Sequence, residues 1–293
     1  MSQVGLMIKK FVVSLSIGLL LLTSCLTVFA SEIPKYPAKP KPLTDPSQLV
    51  GFNLDEINIA SPKNSLFGKI MLPERSLPHE SPNPDRSFGT KIKQGLSIAG
   101  VYAGQEVVAN LELGSGEDRT LYAPTLACPN SCPLESVTAY WRYNGYASTV
   151  RAWGCYNHTK GGWELLIYFN NFLTDFVRSY SEGSLYFTEV IKLSGIWRVA
   201  LYNFTAGRWQ EMCTTSNTFS GRTYGWDVWE SYEWNTNWPD PFYNVESSGL
   251  QVYTGSTWYY CPSTYGEEWN TLPDNFAYSY GWYNNFYHWY VGP

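Results

Sequence analysis

The residues most able to do chemistry lie in Tyr224–Trp238, which reads YGWDVWESYEWNTNW. This stretch interleaves four tryptophans with the acids Asp227, Glu230 and Glu233. Side chains along a β-strand alternate between its two faces. A strand here would therefore put Glu230 in an otherwise apolar and aromatic row. Loss of water around that carboxyl would raise its pKa, as a general acid near neutral pH requires, so Glu230 is the first catalytic candidate.

A structural role is the alternative for Glu230. Its carboxylate could hydrogen-bond to a Tyr, Trp or Arg beside the core, or lie on an edge strand that faces water. Carboxylates with shifted pKa values are only candidates for function. A helix would also group Glu230 and Glu233 on one side with two of the tryptophans. Aromatic and β-branched residues dominate the region, which favours the strand.

A second acid, Glu189, lies on an apolar face of a predicted strand. The sequence of Ser184–Met212 predicts a β-meander with short connections, and Glu189 shares a face of its first strand with aliphatic and aromatic residues. Glycoside hydrolysis needs two acids about 5–10 Å apart across a cleft. We predict Glu230 and Glu189, on neighbouring strands, as the catalytic pair. The alternative for Glu189 is an acid at the strand end that meets Lys192 or Arg198.

Other catalytic chemistries find little support. The chain has three histidines, His79, His158 and His288. There is no HExxH, no paired-His spacing, no GxSxG and no phosphate-binding glycine loop, so we predict no metal and no cofactor. A Ser-His-Asp triad is possible only through His158 or His288. Acid-dependent peptide hydrolysis of the glutamic type is the other reaction that carboxylates alone can carry.

The aromatic residues of the chain support a binding function. Sugars present CH-rich faces that pack on exposed rings, while polar neighbours hydrogen-bond their hydroxyls. The ligand-binding candidates are Trp229, Trp234, Trp238, Trp258, Tyr283 and Trp289. Aromatic anchors also mark protein interfaces, and burial in an aromatic core is the alternative for each ring. We predict a polysaccharide or cell-surface glycan as the partner, with a protein as the alternative.

Charge argues against nucleic acid as a partner. The net charge is −5, and the aromatic part has no run of Lys and Arg. All thirteen tryptophans lie between Trp141 and Trp289. The chain therefore has an aromatic-rich part behind a different N-terminal third.

Residues 1–30 have the features of an export signal peptide. Lys9 and Lys10 precede the apolar Phe11–Leu22, and a small-residue cleavage site ends at Ala30. A Leu-Thr-Ser-Cys sequence ending at Cys25 resembles a bacterial lipobox, which would lipidate that cysteine. The apolar residues that follow it favour free secretion. We predict a secreted, extracellular protein, with a lipid anchor on the cell surface as the alternative and the only route to a membrane.

The remaining cysteines are disulfide candidates because export permits disulfides. They are Cys128, Cys132, Cys155, Cys213 and Cys261. Five cannot all pair, so two bridges and one free thiol are expected, with the pairing left open. The spacing of Cys128 and Cys132 would suit a small disulfide loop, and it matches neither a zinc ribbon nor a redox CxxC.

The chain divides into residues 1–30, 31–95 and 96–293. The second part holds ten prolines and is interpreted as a Pro-rich spacer or a pro-segment. The third has short alternating strands at roughly 8–12-residue spacing, with one short helix around Asn170–Tyr180. This pattern predicts a single all-β domain, an antiparallel two-sheet sandwich or jelly roll of concanavalin-like type.

The stretch Tyr140–Asn157, YWRYNGYASTVRAWGCYN, resembles plant neprosin-type proteins, which carry a similar Tyr-Trp…Tyr…Gly-Cys-Tyr-Asn run. An insertion before Trp153 departs from that run. Those proteins and the glutamic peptidases are β-sandwiches that act through Glu with Gln or a second Glu, often behind a pro-segment. The resemblance implies that Glu230 would serve, with Gln210 or Glu189 as its partner.

Taken together, the sequence predicts a secreted or cell-surface β-sandwich that binds extracellular glycan or cell-wall material through exposed aromatic residues. The alternative is a carboxylate-dependent hydrolase, a glutamic-type peptidase or a glycosidase, that uses Glu230.

Overall fold

The computed structural model describes residues 36–51, 86–94, 97–114, 119–142, 148–233, 244–261, 263–272, 278–284 and 286–292. The chain divides into two compact units, Met1–Ala38 and Lys39–Pro293. The described residues of the first unit, 36–38, have no regular secondary structure. All elements below belong to the second unit.

The second unit is built almost entirely of β-strands. The strands are β1 (Leu49–Gly51), β2 (Arg86–Ile92), β3 (Gly100–Glu106), β4 (Arg119–Ala127), β5 (Leu134–Arg142), β6 (Val150–Asn157), β7 (Gly162–Tyr168), β8 (Arg178–Tyr180), β9 (Gly183–Leu193), β10 (Ile196–Asn203), β11 (Arg208–Thr215), β12 (Gly225–Glu233), β13 (Val245–Tyr253), β14 (Trp258–Tyr260), β15 (Gly266–Asn270), β16 (Ser279–Asn284) and β17 (His288–Gly292). A 3-10 turn spans Pro46–Gln48, and helix α1 spans Phe169–Phe176, which overlaps the predicted helical region Asn170–Tyr180.

The strands form two sheets. The ten-stranded sheet has the order β1-β11-β10-β9-β3-β13-β17-β16, with β14 beside β13 and β8 beside β9. The seven-stranded sheet has the order β15-β2-β12-β4-β5-β6-β7. Neighbouring strands are antiparallel except for β1 and β11, which are parallel. One hydrophobic cluster takes side chains from both sheets. The prediction of an antiparallel two-sheet sandwich is therefore confirmed.

Alternation along β9 separates the interior of the sandwich from its surface. Tyr186 and Val190 belong to the cluster between the sheets, whereas Leu185 and Phe187 belong to a second cluster on the other face of the strand. We call that other face the outer face of the ten-stranded sheet. Glu189 lies on it, because it has the same parity as Leu185 and Phe187.

The cysteines differ from the prediction. Cys155 on β6 and Cys213 on β11 form a disulfide that joins the two sheets. Cys128, Cys132 and Cys261 are buried and free. The expected second bridge and the small Cys128–Cys132 loop are therefore wrong. The thiol of Cys132 instead donates to the carbonyl of Leu134, 3.5 Å away, so it turns towards the backbone.

The folded unit begins before residue 96. Strand β2 lies inside the seven-stranded sheet, between β15 and β12. Strand β1 also pairs with β11. Both strands fall within residues 31–95, the stretch interpreted as a Pro-rich spacer or a pro-segment.

Candidate functional site

The two acids predicted as a catalytic pair lie in different sheets. Glu189 is on β9 of the ten-stranded sheet, and Glu230 is on β12 of the seven-stranded sheet. The expectation that they occupy neighbouring strands is therefore wrong. Alternation correctly gave the face of each strand, but it carries no information on which strands pair.

Glu230 lies on the outer face of the seven-stranded sheet. Its strand turns Trp226 and Val228 to this face, as predicted, and Trp229 to the core. Glu230 is opposite Ser87 on β2 and Tyr122 on β4. Only 4% of it is exposed. The structure thus confirms a carboxyl in a buried, aromatic row.

A second acid on this face, Glu135, is held by two donors. One carboxylate oxygen accepts from Trp226 Nε1 at 3.0 Å, and the other is 2.8 Å from His158 Nε2. The guanidinium of Arg222 lies 4.4 Å from the centre of the Trp226 ring. With a contact on each oxygen, Glu135 serves to fix Trp226 and His158 in place.

Asp227 faces the interior between the two sheets. Its two oxygens accept from Gln105 Nε2 at 2.8 Å and from Trp289 Nε1 at 3.0 Å. Burial raises the pKa of Asp227 to about 6, although these hydrogen bonds act in the opposite direction and lower it. The strand pattern put Asp227 opposite Glu230, but it could not reveal a polar network inside the core.

Glu189 is the acid with the most unusual surroundings. It is fully buried on the outer face of the ten-stranded sheet, opposite Tyr102 on β3 and Ala200 on β10. Its Oε1 accepts the backbone N–H of Leu43 at 2.7 Å. Within the described part of the chain, its Oε2 has no hydrogen-bond partner. Burial raises the pKa of Glu189 well above its usual range, and the Leu43 N–H only partly offsets this.

A segment from the N-terminal region covers Glu189. We call residues 39–48 the strap, and the outer-face surface beneath it the groove. Side chains of the sheet donate to three strap carbonyls: Tyr102 Oη to Pro40 at 2.8 Å, Trp209 Nε1 to Lys41 at 3.0 Å, and Trp258 Nε1 to Leu43. The groove therefore binds the strap through its backbone carbonyls.

Leu43 anchors the strap. Its side chain is fully buried in the outer-face cluster of Leu43, Tyr102, Tyr180, Leu185, Phe187, Ala200 and Trp209. Its N–H reaches Glu189 and its carbonyl accepts from Trp258. The amide nitrogen of a peptide bond thus lies against a buried carboxyl whose pKa is raised by its burial. This arrangement can pass a proton to a leaving amine.

The predicted ligand-binding rings separate into three groups. Trp229 and Trp289 are fully buried in the core, which removes them from any binding surface. Trp258 is half-buried beneath the strap, and Tyr283 is 56% exposed. Trp234 and Trp238 lie outside the described residues, as does Glu233's side chain.

Gln210, implied by the resemblance as a partner of Glu230, lies on β11 of the ten-stranded sheet, whereas Glu230 lies on β12 of the seven-stranded sheet. Gln210 follows Trp209 on β11, so alternation turns it to the opposite face from the groove. Its Oε1 accepts from Asn203 Nδ2 at 3.0 Å.

His288 pairs with Glu246: the distance from Glu246 Oε2 to His288 Nε2 is 3.1 Å. Burial and the nearby Glu246 raise the pKa of Glu106 to about 8.

Across the described ranges, no cluster of three or more His, Cys, Asp or Glu side chains could hold a metal ion. In the same ranges, no helix is long and apolar enough to span a membrane.

No protein-family model matches the chain, and no curated protein matches it. Solved structures similar to it include scytalido-glutamic peptidase with a transition-state analogue inhibitor, at 17% identity over 71% of this chain and 98% of that one, with a TM-score of 0.41. Another is SCP-B, a peptidase of the eqolisin family, in complex with the tripeptide Ala-Ile-His, at 14% identity over 71% and 98%, with a TM-score of 0.40. A third is the CBM2 module of the evolved Dit of Lactobacillus casei BL23 phage J-1, at 11% identity over 51% and 63%, with a TM-score of 0.26.

Proposed function

We propose that the protein is a carboxyl-dependent hydrolase of extended peptides, with Glu189 as its proton donor. One observation carries the proposal: the buried Glu189 carboxyl accepts a backbone N–H from a chain segment whose carbonyls are held by Tyr102, Trp209 and Trp258. Peptide hydrolysis needs a proton at a leaving nitrogen that is held in place.

The reaction balances with one carboxyl and one water. The water oxygen bonds to the carbonyl carbon of the scissile peptide, and the carbon–nitrogen bond breaks. The Glu189 carboxyl gives its proton to the leaving nitrogen, and the proton released by the water returns the carboxylate to its acid form. A raised pKa keeps Glu189 protonated at acid pH, where the donor is needed.

The strap occupies the place of a substrate in this proposal. A peptide from outside can reach Glu189 only when Leu43 and the strap carbonyls leave their partners. The self-occupied groove therefore keeps the chain inactive until the strap is displaced. The strap would then act as the pro-segment, whereas β2, which also falls within residues 31–95, belongs to the folded sheet.

The test is cleavage of an unfolded protein substrate at acid pH by the full chain, before and after limited proteolysis releases the strap. We expect activity to rise on release and to be lost in Glu189→Gln, which keeps the shape of the side chain but cannot supply the proton. Glu230→Gln is the matched control and should retain activity. Activity that survives in Glu189→Gln but disappears in Glu230→Gln would transfer the catalytic role to the seven-stranded sheet.

Glycan binding is the second candidate function, favoured by four exposed tyrosines. Tyr259 and Tyr260 on β14 are 47% and 61% exposed, and Tyr280 and Tyr283 on β16 are 37% and 56% exposed. Such rings can stack against sugar faces. Depletion of the protein by insoluble polysaccharide, weakened by Tyr283→Ala and unchanged by Glu189→Gln, would support this role.

A further inference from the structure

We propose that the groove selects peptides by one aliphatic side chain, placed where Leu43 now lies, and that Ala200 sets the size of the pocket. The inference rests on the proposed function for its occupant, a peptide, but concerns recognition rather than catalysis. It names the substrate class as extended peptides with a Leu-like residue beside Glu189.

Recognition of the strap backbone is independent of sequence. Three carbonyls are bound by indole or phenol donors, and carbonyls are present in every residue. Among the residues that the structure describes, the sheet binds one strap N–H, that of Leu43. Pro40 and Pro42 have no N–H to offer, and the groove requires none from them. The backbone contacts therefore fix the direction of a peptide but do not choose among sequences.

The side chains on either side of Leu43 contribute little selectivity. Lys41, Thr44 and Asp45 are exposed. Lys39 pairs with Glu182, but both are partly in water, where such pairs contribute little. Beyond Asp45 the strap turns on itself, with Asp45 accepting from Ser47 N at 2.8 Å. Leu43 is the only described strap residue that is fully buried.

Ala200 leaves the room that Leu43 fills. It is fully buried in the Leu43 cluster and is directly opposite Glu189 on the neighbouring strand. Its methyl group is the smallest side chain in a cluster otherwise made of large rings and leucines. A larger side chain at position 200 would enter the volume beside Glu189. Interiors are packed closely enough for such an addition to exclude an occupant.

The experiment measures binding of a labelled peptide, KPKPLTDPSQ, which repeats the strap, to the full chain carrying Leu43→Asp. That substitution puts a charge into the pocket and releases the chain's own strap. We expect the peptide to bind, the same peptide with Leu→Ala to bind at least about thirtyfold more weakly, and the peptide with Thr→Ala to bind as well as the parent. Equal affinity for the Leu and Ala peptides, or no binding of any peptide, would overturn the inference.

A second measurement protects the test if Leu43→Asp fails to fold. In the unaltered chain, excess Leu peptide should speed hydrogen exchange of the Leu43 amide by displacing the strap, and the Ala peptide should not. Ala200→Val, checked by the same exchange, should lose the response to the Leu peptide. Equal exchange with both peptides would overturn the inference. Binding that prefers the Leu peptide but is not followed by hydrolysis would contradict the proposed catalysis and leave this inference intact.

Discussion

Substitution of Leu43 by Ala should convert the self-occupied chain into a more active one. Leu43 is fully buried, and loss of a buried Leu side chain to Ala costs about 2–5 kcal/mol. The cost falls on the docked strap, because Leu43 packs in the groove cluster rather than between the two sheets. Every 1.4 kcal/mol is a factor of ten. The open fraction should therefore rise about 30-fold or more, up to the point where all chains are open.

The assay is the initial rate of cleavage of an unfolded protein substrate at acid pH, at substrate concentrations well below saturation. In that range the rate follows the open fraction, so it should rise with Leu43→Ala until opening is complete. Thr44→Ala is the matched control: Thr44 is exposed, and its hydroxyl makes only a 3.5 Å contact within the strap. The rate of this control should equal that of the parent chain.

Two results would refute the reasoning. A rate for Leu43→Ala equal to that of the parent would mean that the strap does not limit access to Glu189. An increase that persists when Leu43→Ala is combined with Glu189→Gln would place the chemistry elsewhere. Thermal unfolding of each variant separates strap release from loss of the fold, since the interior core does not contain Leu43.

Three further predictions concern other parts of the structure. Burial raises the pKa of Asp227 from 3.8 to about 6, so the folded protein holds a proton that the unfolded chain releases; the free energy of unfolding should fall by about 3 kcal/mol as the pH rises from about 4 to about 6. Asp227→Asn should flatten this slope in urea titrations, and an undiminished slope would contradict the assignment. Reduction of the Cys155–Cys213 disulfide, whose cysteines are 58 residues apart, should cost about 4 kcal/mol, checked by unfolding with and without reductant; unchanged stability would speak against a bridge between the sheets. Tyr102→Phe removes the donor to the Pro40 carbonyl and should weaken strap docking by about 1 kcal/mol, seen as faster exchange of the Leu43 amide; an unaltered exchange rate would show that this hydrogen bond does not hold the strap.

The sequence predicted local structure well because strand alternation is a local property. The prediction of which side chains share a face of β9 and of β12 was correct, and Glu189 and Glu230 each lie in an apolar row. Alternation also correctly set Asp227 opposite Glu230. The pairing of strands depends on contacts between distant residues, and so the sheet that each strand joins was not available from pattern alone.

The sequence also did not predict that the strap covers Glu189. Leu43 and Glu189 are 146 residues apart in the chain, and nothing in a Pro-rich stretch marks one leucine as an anchor. The prediction of a strand-end acid that meets Lys192 or Arg198 failed for the same reason. Arg198 pairs instead with Glu211, and the partner of Glu189 is a backbone N–H. Backbone groups are present in every residue, so their role cannot be read from residue types.

The way in which the strap is attached decides how easily it can be exchanged. Its C-terminal side runs into β1, which pairs with β11 through backbone hydrogen bonds. Its N-terminal side is held over Glu189 by side-chain donors and one buried leucine. A segment tethered beside its own site acts at an effective concentration in the millimolar range. A free peptide must therefore exceed that concentration, or the tether must be cut, before Glu189 meets another chain. Once proteolysis cuts the chain after the strap, the released strap rebinds the groove only at a high peptide concentration. In dilute solution, cutting the tether would therefore open the groove irreversibly.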